Sequence, residues 1–207
     1  AEIKLQAAEY TQALASLTEV KTNVTRYPYV LSLLSQAYQG LGDWDALLEL
    51  LPTMRKHKQL SGETFVRLEK TVYRNRLQLC HSNLDLLHAM WKKVPRPLQR
   101  DVDMVETYAR NLIKCGDHDS AESVIARALK QQWQPALVRE YGCLKGSNPS
   151  RQLSQAEKWL NAHPDDAQLL LCLGRLAARS ELWSKSRQYF ESSYRCKRSA
   201  EICAELG

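Results

Sequence analysis

Glycine and proline are scarce here: the 207-residue chain holds only 8 and 7 of them. So few breakers exclude collagen-like, loop-dominated and low-complexity architectures, and they suit helices joined by short turns. No stretch keeps the strict apolar–polar alternation of a half-buried strand, so an all-α chain is expected. Long apolar runs are missing too. The longest, Ala167 to Gly174, is interrupted by Gln168 and is far too short to cross a bilayer. No signal peptide opens the sequence. Cysteines lie at 80, 115, 143, 172, 196 and 203, but no two form a C-x-x-C, and their spacing fits neither a zinc module nor a disulfide framework. Packed, reduced thiols in a reducing compartment are therefore expected. Charge is nearly balanced: 29 Lys+Arg over 23 Asp+Glu leaves +6, a bias toward acidic surfaces that does not by itself point to nucleic acid.

Catalytic and ligand motifs are equally absent. There is no G-x-S-x-G, Walker lysine loop or G-x-G-x-x-G. Gly40-Leu41-Gly42 reads as a helix end. The histidines His57, His81, His88, His118 and His163 form no H-E-x-x-H or C-x-x-C-H, and Ser82-Asn83 breaks the helix between His81 and His88. No metal, no cofactor and no catalytic set is expected, hence no enzyme. Trp44, Trp91, Trp133, Trp159 and Trp183 read as packing residues rather than base-stacking platforms, with Trp44 and Trp183 placed to wedge between hairpins.

What is present is a repeat. Its clearest copy runs Pro164-Asp165-Asp166-Ala167, Leu170, Leu173-Gly174, Ala177, Trp183 and Phe190; a second runs Val105, Tyr108-Ala109, Leu112, Gly116-Asp117, Ala121, Ile125 and Ala128. A third runs Leu31, Leu34-Ser35, Tyr38, Gly42-Asp43-Trp44 and Leu51. The small residues Ala109, Gly142 and Gly174 stand 33 and then 32 positions apart. A small residue where two helices touch, with a Gly-Asp turn at this period, is the tetratricopeptide (TPR) pattern. Such hairpins bury their apolar faces only by stacking. The expected fold is a TPR-type α-solenoid, a right-handed superhelix of about five hairpins packed through Ala109, Gly142 and Gly174.

Residues 1–207 read as one array, cut from a longer protein inside a repeat: Leu5, Ala8, Ala13, Leu14 and Leu17 form a second-helix stripe with no first helix before it. That helix is expected over about residues 3 to 26, ending at Tyr27-Pro28. The pattern predicts helix starts at Pro28, after Asp43, at Ser61 and after Asn83. Later helices are expected near 98–115, 118–131, 135–145, 151–162, 165–180, 182–195 and 197–206. The hairpin near 61–93 is degenerate, with Glu69 at the small contact position, and Val94-Pro95-Arg96-Pro97 is a proline-rich joint.

Counting from the small contact residue, the outward positions of the first helices collect Arg110, Lys114, Arg139, Arg175 and Arg179, and less regularly Lys70 and Arg74. Guanidinium groups on one concave lining suit an acidic segment or a C-terminal carboxylate. The alternative is a solvated helix face.

Beyond the generic repeat, the chain resembles the C-terminal part of the HemY family, TPR-containing inner-membrane proteins linked to protohaem IX biogenesis in Gram-negative bacteria. The resemblance rests on Gly42-Asp43-Trp44 with Leu47-Leu48-Glu49-Leu50-Leu51-Pro52, the Trp91…Pro95 stretch, Tyr108-Ala109 with Ala121-Glu122, and Tyr141-Gly142. It continues through Ala156-Glu157-Lys158-Trp159-Leu160, His163-Pro164-Asp165, Leu169 to Leu176, and Trp183 to Arg187. Ser184-Lys185-Ser186 departs from it, since the family tends to have a glycine and an alanine there. The resemblance implies a membrane anchor preceding this piece, a domain facing the cytoplasm, and contact with membrane-associated haem-biosynthesis enzymes. It carries over no catalytic residue. A generic adaptor for acidic peptides and a direct haem or porphyrin binder are the other expectations. The flavoenzyme that shares this name in other bacteria is excluded by the missing dinucleotide fingerprint.

Overall fold

Asx side chains and prolines set the helix starts in the computed structural model, which describes residues 9–18, 28–57 and 62–206. Asp43, Asn83, Asp101, Asp117, Asn148 and Asp166 each accept a hydrogen bond from a backbone N–H of the first turn that follows. Each cap satisfies a donor that would otherwise be orphaned. Pro28, Pro135 and Pro149 begin helices, where their missing N–H is harmless.

The described residues are all-helical. They form α1 (Tyr10–Thr18), α2 (Pro28–Leu41), α3 (Trp44–Lys56), α4 (Gly62–Leu79), α5 (Leu84–Lys93), α6 (Val102–Lys114), α7 (His118–Gln131), α8 (Pro135–Cys143), α9 (Pro149–Glu157), α10 (Ala167–Arg179), α11 (Trp183–Cys196) and α12 (Ala200–Leu206). Short 3-10 turns at Leu98–Arg100 and Lys158–Asn161 cover the remainder of two expected helices. The ends of the helix expected over 3–26, its stop at Tyr27, and Ser61 lie outside the described residues.

The chain divides into two compact units, one within residues 1–79 and the other within 80–207. In the first, α1 packs on α2, α2 on α3 and α3 on α4. Leu33 and Leu34 sit among Leu14, Val30, Tyr38 and Leu50. Gly42, at φ 68°, makes the left-handed turn that only glycine adopts without strain. Glu69, at the small contact position of α4, is buried and ion-paired with Arg55 of α3. Burial raises its carboxyl pKa and Arg55 pulls it back. A charge occupies this contact because its partner reaches it from the neighbouring helix.

In the second unit α6 packs on α7, α7 on α8, α10 on α8, α9 and α11, and α12 on α11. The small residues lie at these contacts. Ala109 is fully buried. A methyl group on Gly142 would stand 3.0 Å from the Cys172 backbone, and one on Gly174 would stand 2.3 Å from the Phe190 ring. Ser186 closes the same contact by donating to the Gly174 carbonyl at 2.9 Å.

Two expectations are corrected here. Trp183 is 68% exposed and wedges nothing; Phe190 and Ser186 already fill the seam between α10 and α11, leaving no seat for the indole. Only Cys80 and Cys172 are buried thiols, whereas Cys143, Cys196 and Cys203 are exposed, because they fall at helix ends or on outward faces. Three other tryptophans pack: Trp91 stacks on Tyr108 at 4.1 Å, Trp133 stacks on His163 at 3.8 Å, and Trp159 meets Trp133 and Tyr141 edge-on.

Candidate functional site

Five of the cations singled out from the sequence sit on α6, α8 and α10 of the second unit, and four of these are engaged by this chain itself. Arg110 on α6 lies 2.6 Å from Glu106 one turn back and donates to Glu140 of α8 at 3.0 Å. Arg139 on α8 donates to Glu201 of α12 at 3.1 Å. Arg175 on α10 donates to Glu201 at 2.9 Å and to Glu205 at 2.7 Å. Arg179 turns instead to backbone, donating to the Gly142 carbonyl at 3.1 Å and also to that of Leu144. Lys114 is exposed, with no ion pair among the described residues. Arg74 is exposed and Lys70 half-buried on α4 of the first unit.

The result is a ladder of two parts in which guanidinium and carboxylate alternate, Glu106–Arg110–Glu140 across α6 and α8, and Arg139–Glu201–Arg175–Glu205 across α8, α10 and α12. Its rungs differ in strength. Arg110 and Arg139 are more than half exposed, so their pairs are individually worth about 0–1 kcal/mol. Arg175 keeps only 17% of its side chain exposed. Burial works against its charge, but its hydrogen bonds to Glu205 and Glu201 prevail and raise its pKa. Glu201 answers in kind: burial opposes its charge, yet Arg175 and Arg139 hold its carboxyl below the ordinary value. Burial lowers the pKa of Arg179, which has carbonyl partners and no carboxylate.

Sequence reading found the arginines and missed the glutamates. The available signal was the pair Glu201 and Glu205, four residues apart and so on one face of a short helix. Ile202 anchors that helix, fully buried against Leu171, Phe190 and Tyr194.

The histidines assemble no ligand set, and no metal-competent cluster of His, Cys, Asp and Glu occurs among the described residues. His81 and His88 are separated by the break that Asn83 caps. His88 faces Asp117 at 3.5 Å, and His118 accepts from the Lys145 N–H at 3.3 Å. Among the described residues no helix is long and apolar enough to cross a membrane.

Over 170 residues, 81% of its length, the chain is 27% identical to protein HemY of Escherichia coli strain K12. The chain is similar to HemY. The same identity and coverage hold for HemY of Escherichia coli O157:H7 and of Shigella flexneri. The chain spans less than half of these relatives, 43% of each. No protein-family profile matches it. The resemblance to HemY read from the sequence is thus shown by an alignment over 170 residues of the chain.

Proposed function

We propose that this chain is a non-catalytic protein-interaction module whose arginine ladder receives the carboxylates of a partner segment. One observation carries the reading: Arg175 holds both Glu201 and Glu205 of a single short helix, with Arg139 on the first of them. The face is built to receive carboxylates four residues apart on a helix. A partner segment with that pattern, or an extended acidic tail, meets the same donors, because guanidinium grips carboxylate through paired, directional hydrogen bonds.

In this reading the helices stack as a TPR-type right-handed solenoid of about five hairpins, and α6, α8, α10 and α12 line its receiving face. Similarity to HemY supports a place in haem biosynthesis, beside membrane-associated late-step enzymes on the cytoplasmic side of the bacterial inner membrane. Tethering there raises the effective concentration of a membrane-bound partner, so weak intrinsic affinity suffices.

The test is capture of haem-biosynthesis enzymes from solubilised membranes by the immobilised chain. Capture should weaken as salt rises, since the screening length falls to about 3 Å at 1 M. The double variant Arg139→Glu, Arg175→Glu should lose its partners while circular dichroism stays helical. Retained capture by that variant removes the ladder from the mechanism. Turnover of porphyrin or haem by the purified chain would show an enzyme instead.

A further inference from the structure

Three arginines of the second unit stand apart from the rest. Every other arginine between residues 80 and 207 is engaged by the chain itself, from Arg110 on Glu140 to Arg198 over the Tyr194 ring. Arg96, Arg100 and Arg127 have no such partner among the described residues, and all three line one cavity of about 220 Å³. No aspartate or glutamate lines it. Trp91, Val105, Val124 and Ala128 supply an apolar wall.

The cavity is built rather than incidental. Arg96 and Arg100 ride on the Pro95–Arg100 segment, which follows buried Val94 and is anchored in its middle by buried Leu98. Gln99 locks the segment from inside, its amide donating to the Trp91 and Val94 carbonyls, each at 3.0 Å. Trp91 is held flat against Tyr108, with 5° between the rings. Arg127 comes from the opposite side, on α7, and also lines two neighbouring cavities that carry Lys92, Lys130 and Lys158. The acids of those cavities are already occupied: Asp119 accepts from Ser147, and Glu122 accepts from Tyr141 and faces Arg151.

We propose that this cavity is a binding site for a small polyanion, a compact aromatic or apolar body bearing two or more carboxylates or phosphates. Three like charges around one hollow repel each other, and an anion relieves that repulsion while each guanidinium supplies paired donors. The apolar wall takes the body of the ligand. A void of about 150 Å³ accepts benzene, so this one admits a single ring with its substituents. The site lies apart from the ladder, with no residue in common.

The probe is trimesate (benzene tricarboxylate), titrated by calorimetry into the 207-residue chain at low salt, with inorganic pyrophosphate in parallel. One-to-one saturable binding of trimesate is expected, weakened by about tenfold or more in Arg100→Gln, Arg127→Gln. It should be weakened also in Arg96→Gln, whose exposed loop position spares the fold, and unchanged in Arg139→Gln, Arg175→Gln. The bound ligand should raise the thermal midpoint of the wild type and not of the Arg100, Arg127 variant. Failure to saturate in the millimolar range, or wild-type affinity in the Arg100, Arg127 variant, overturns the site. Pyrophosphate binding as tightly as trimesate overturns the role of the Trp91 wall. A failure confined to the Arg139, Arg175 capture experiment leaves this site standing.

Discussion

At the scale of single residues, the seams between helices are decided by what is missing from a side chain. Gly174 leaves room for Phe190, whose ring would stand 2.3 Å from any β-carbon there. Gly174→Leu should overpack the α10–α11 seam and lower stability by about 1–3 kcal/mol in urea denaturation; an unchanged midpoint would mean that the seam lies elsewhere. Ala109, Gly142 and Gly174 were legible in the sequence because a small residue recurring at the hairpin period has few other meanings. Glu69 was not legible as a satisfied contact. Its partner Arg55 stands fourteen residues away on another helix, and no local pattern joins them. The same limit hid Glu140, which reaches Arg110 across thirty residues.

At the scale of elements, caps and prolines made the helix starts readable: Asp43, Asn83 and Asp117 each end a loop where the sequence places them. Helix ends were less readable. The stretch over 151–162 gives way to a 3-10 turn after Glu157, where no glycine or proline announces the change, and the one over 135–145 stops at Cys143. The short α12 has too few residues to hold itself, so its order comes from Ile202 and from the two glutamates on Arg175. Glu201 is held below the ordinary glutamate value of 4.5. A depressed carboxyl stabilises fully above that ordinary value and loses its contribution as pH falls through the folded one. The Ile202 methyl resonance should therefore move toward its released position below pH 4.5, ahead of core signals such as Leu169. An Ile202 signal that holds until the whole unit unfolds would show that the ion pairs add nothing to docking.

At the scale of the molecule, most of the cationic character first read as an open face is answered from within. Net charge and helical phase showed where the arginines lie, but which of them keep a free valence depends on α12 and on loops whose placement no periodicity encodes. If partner segments use the ladder, they compete with Glu201 and Glu205. Glu201→Gln, Glu205→Gln should then strengthen capture by about fivefold or more, the equivalent of about 1 kcal/mol. Weaker capture would mean that these glutamates touch the partner themselves. The neighbour-to-neighbour packing of residues 80–207 also bears on how that unit forms. Most of the helix packing there joins the next helix along the chain or the next but one, so most of the loops that must close during folding are short and their entropy losses small. Such low contact order favours collapse within microseconds to milliseconds. It also lets order begin at the apolar α10–α11 pair and spread outward, with α12 settling last because its seat does not exist until α11 is in place.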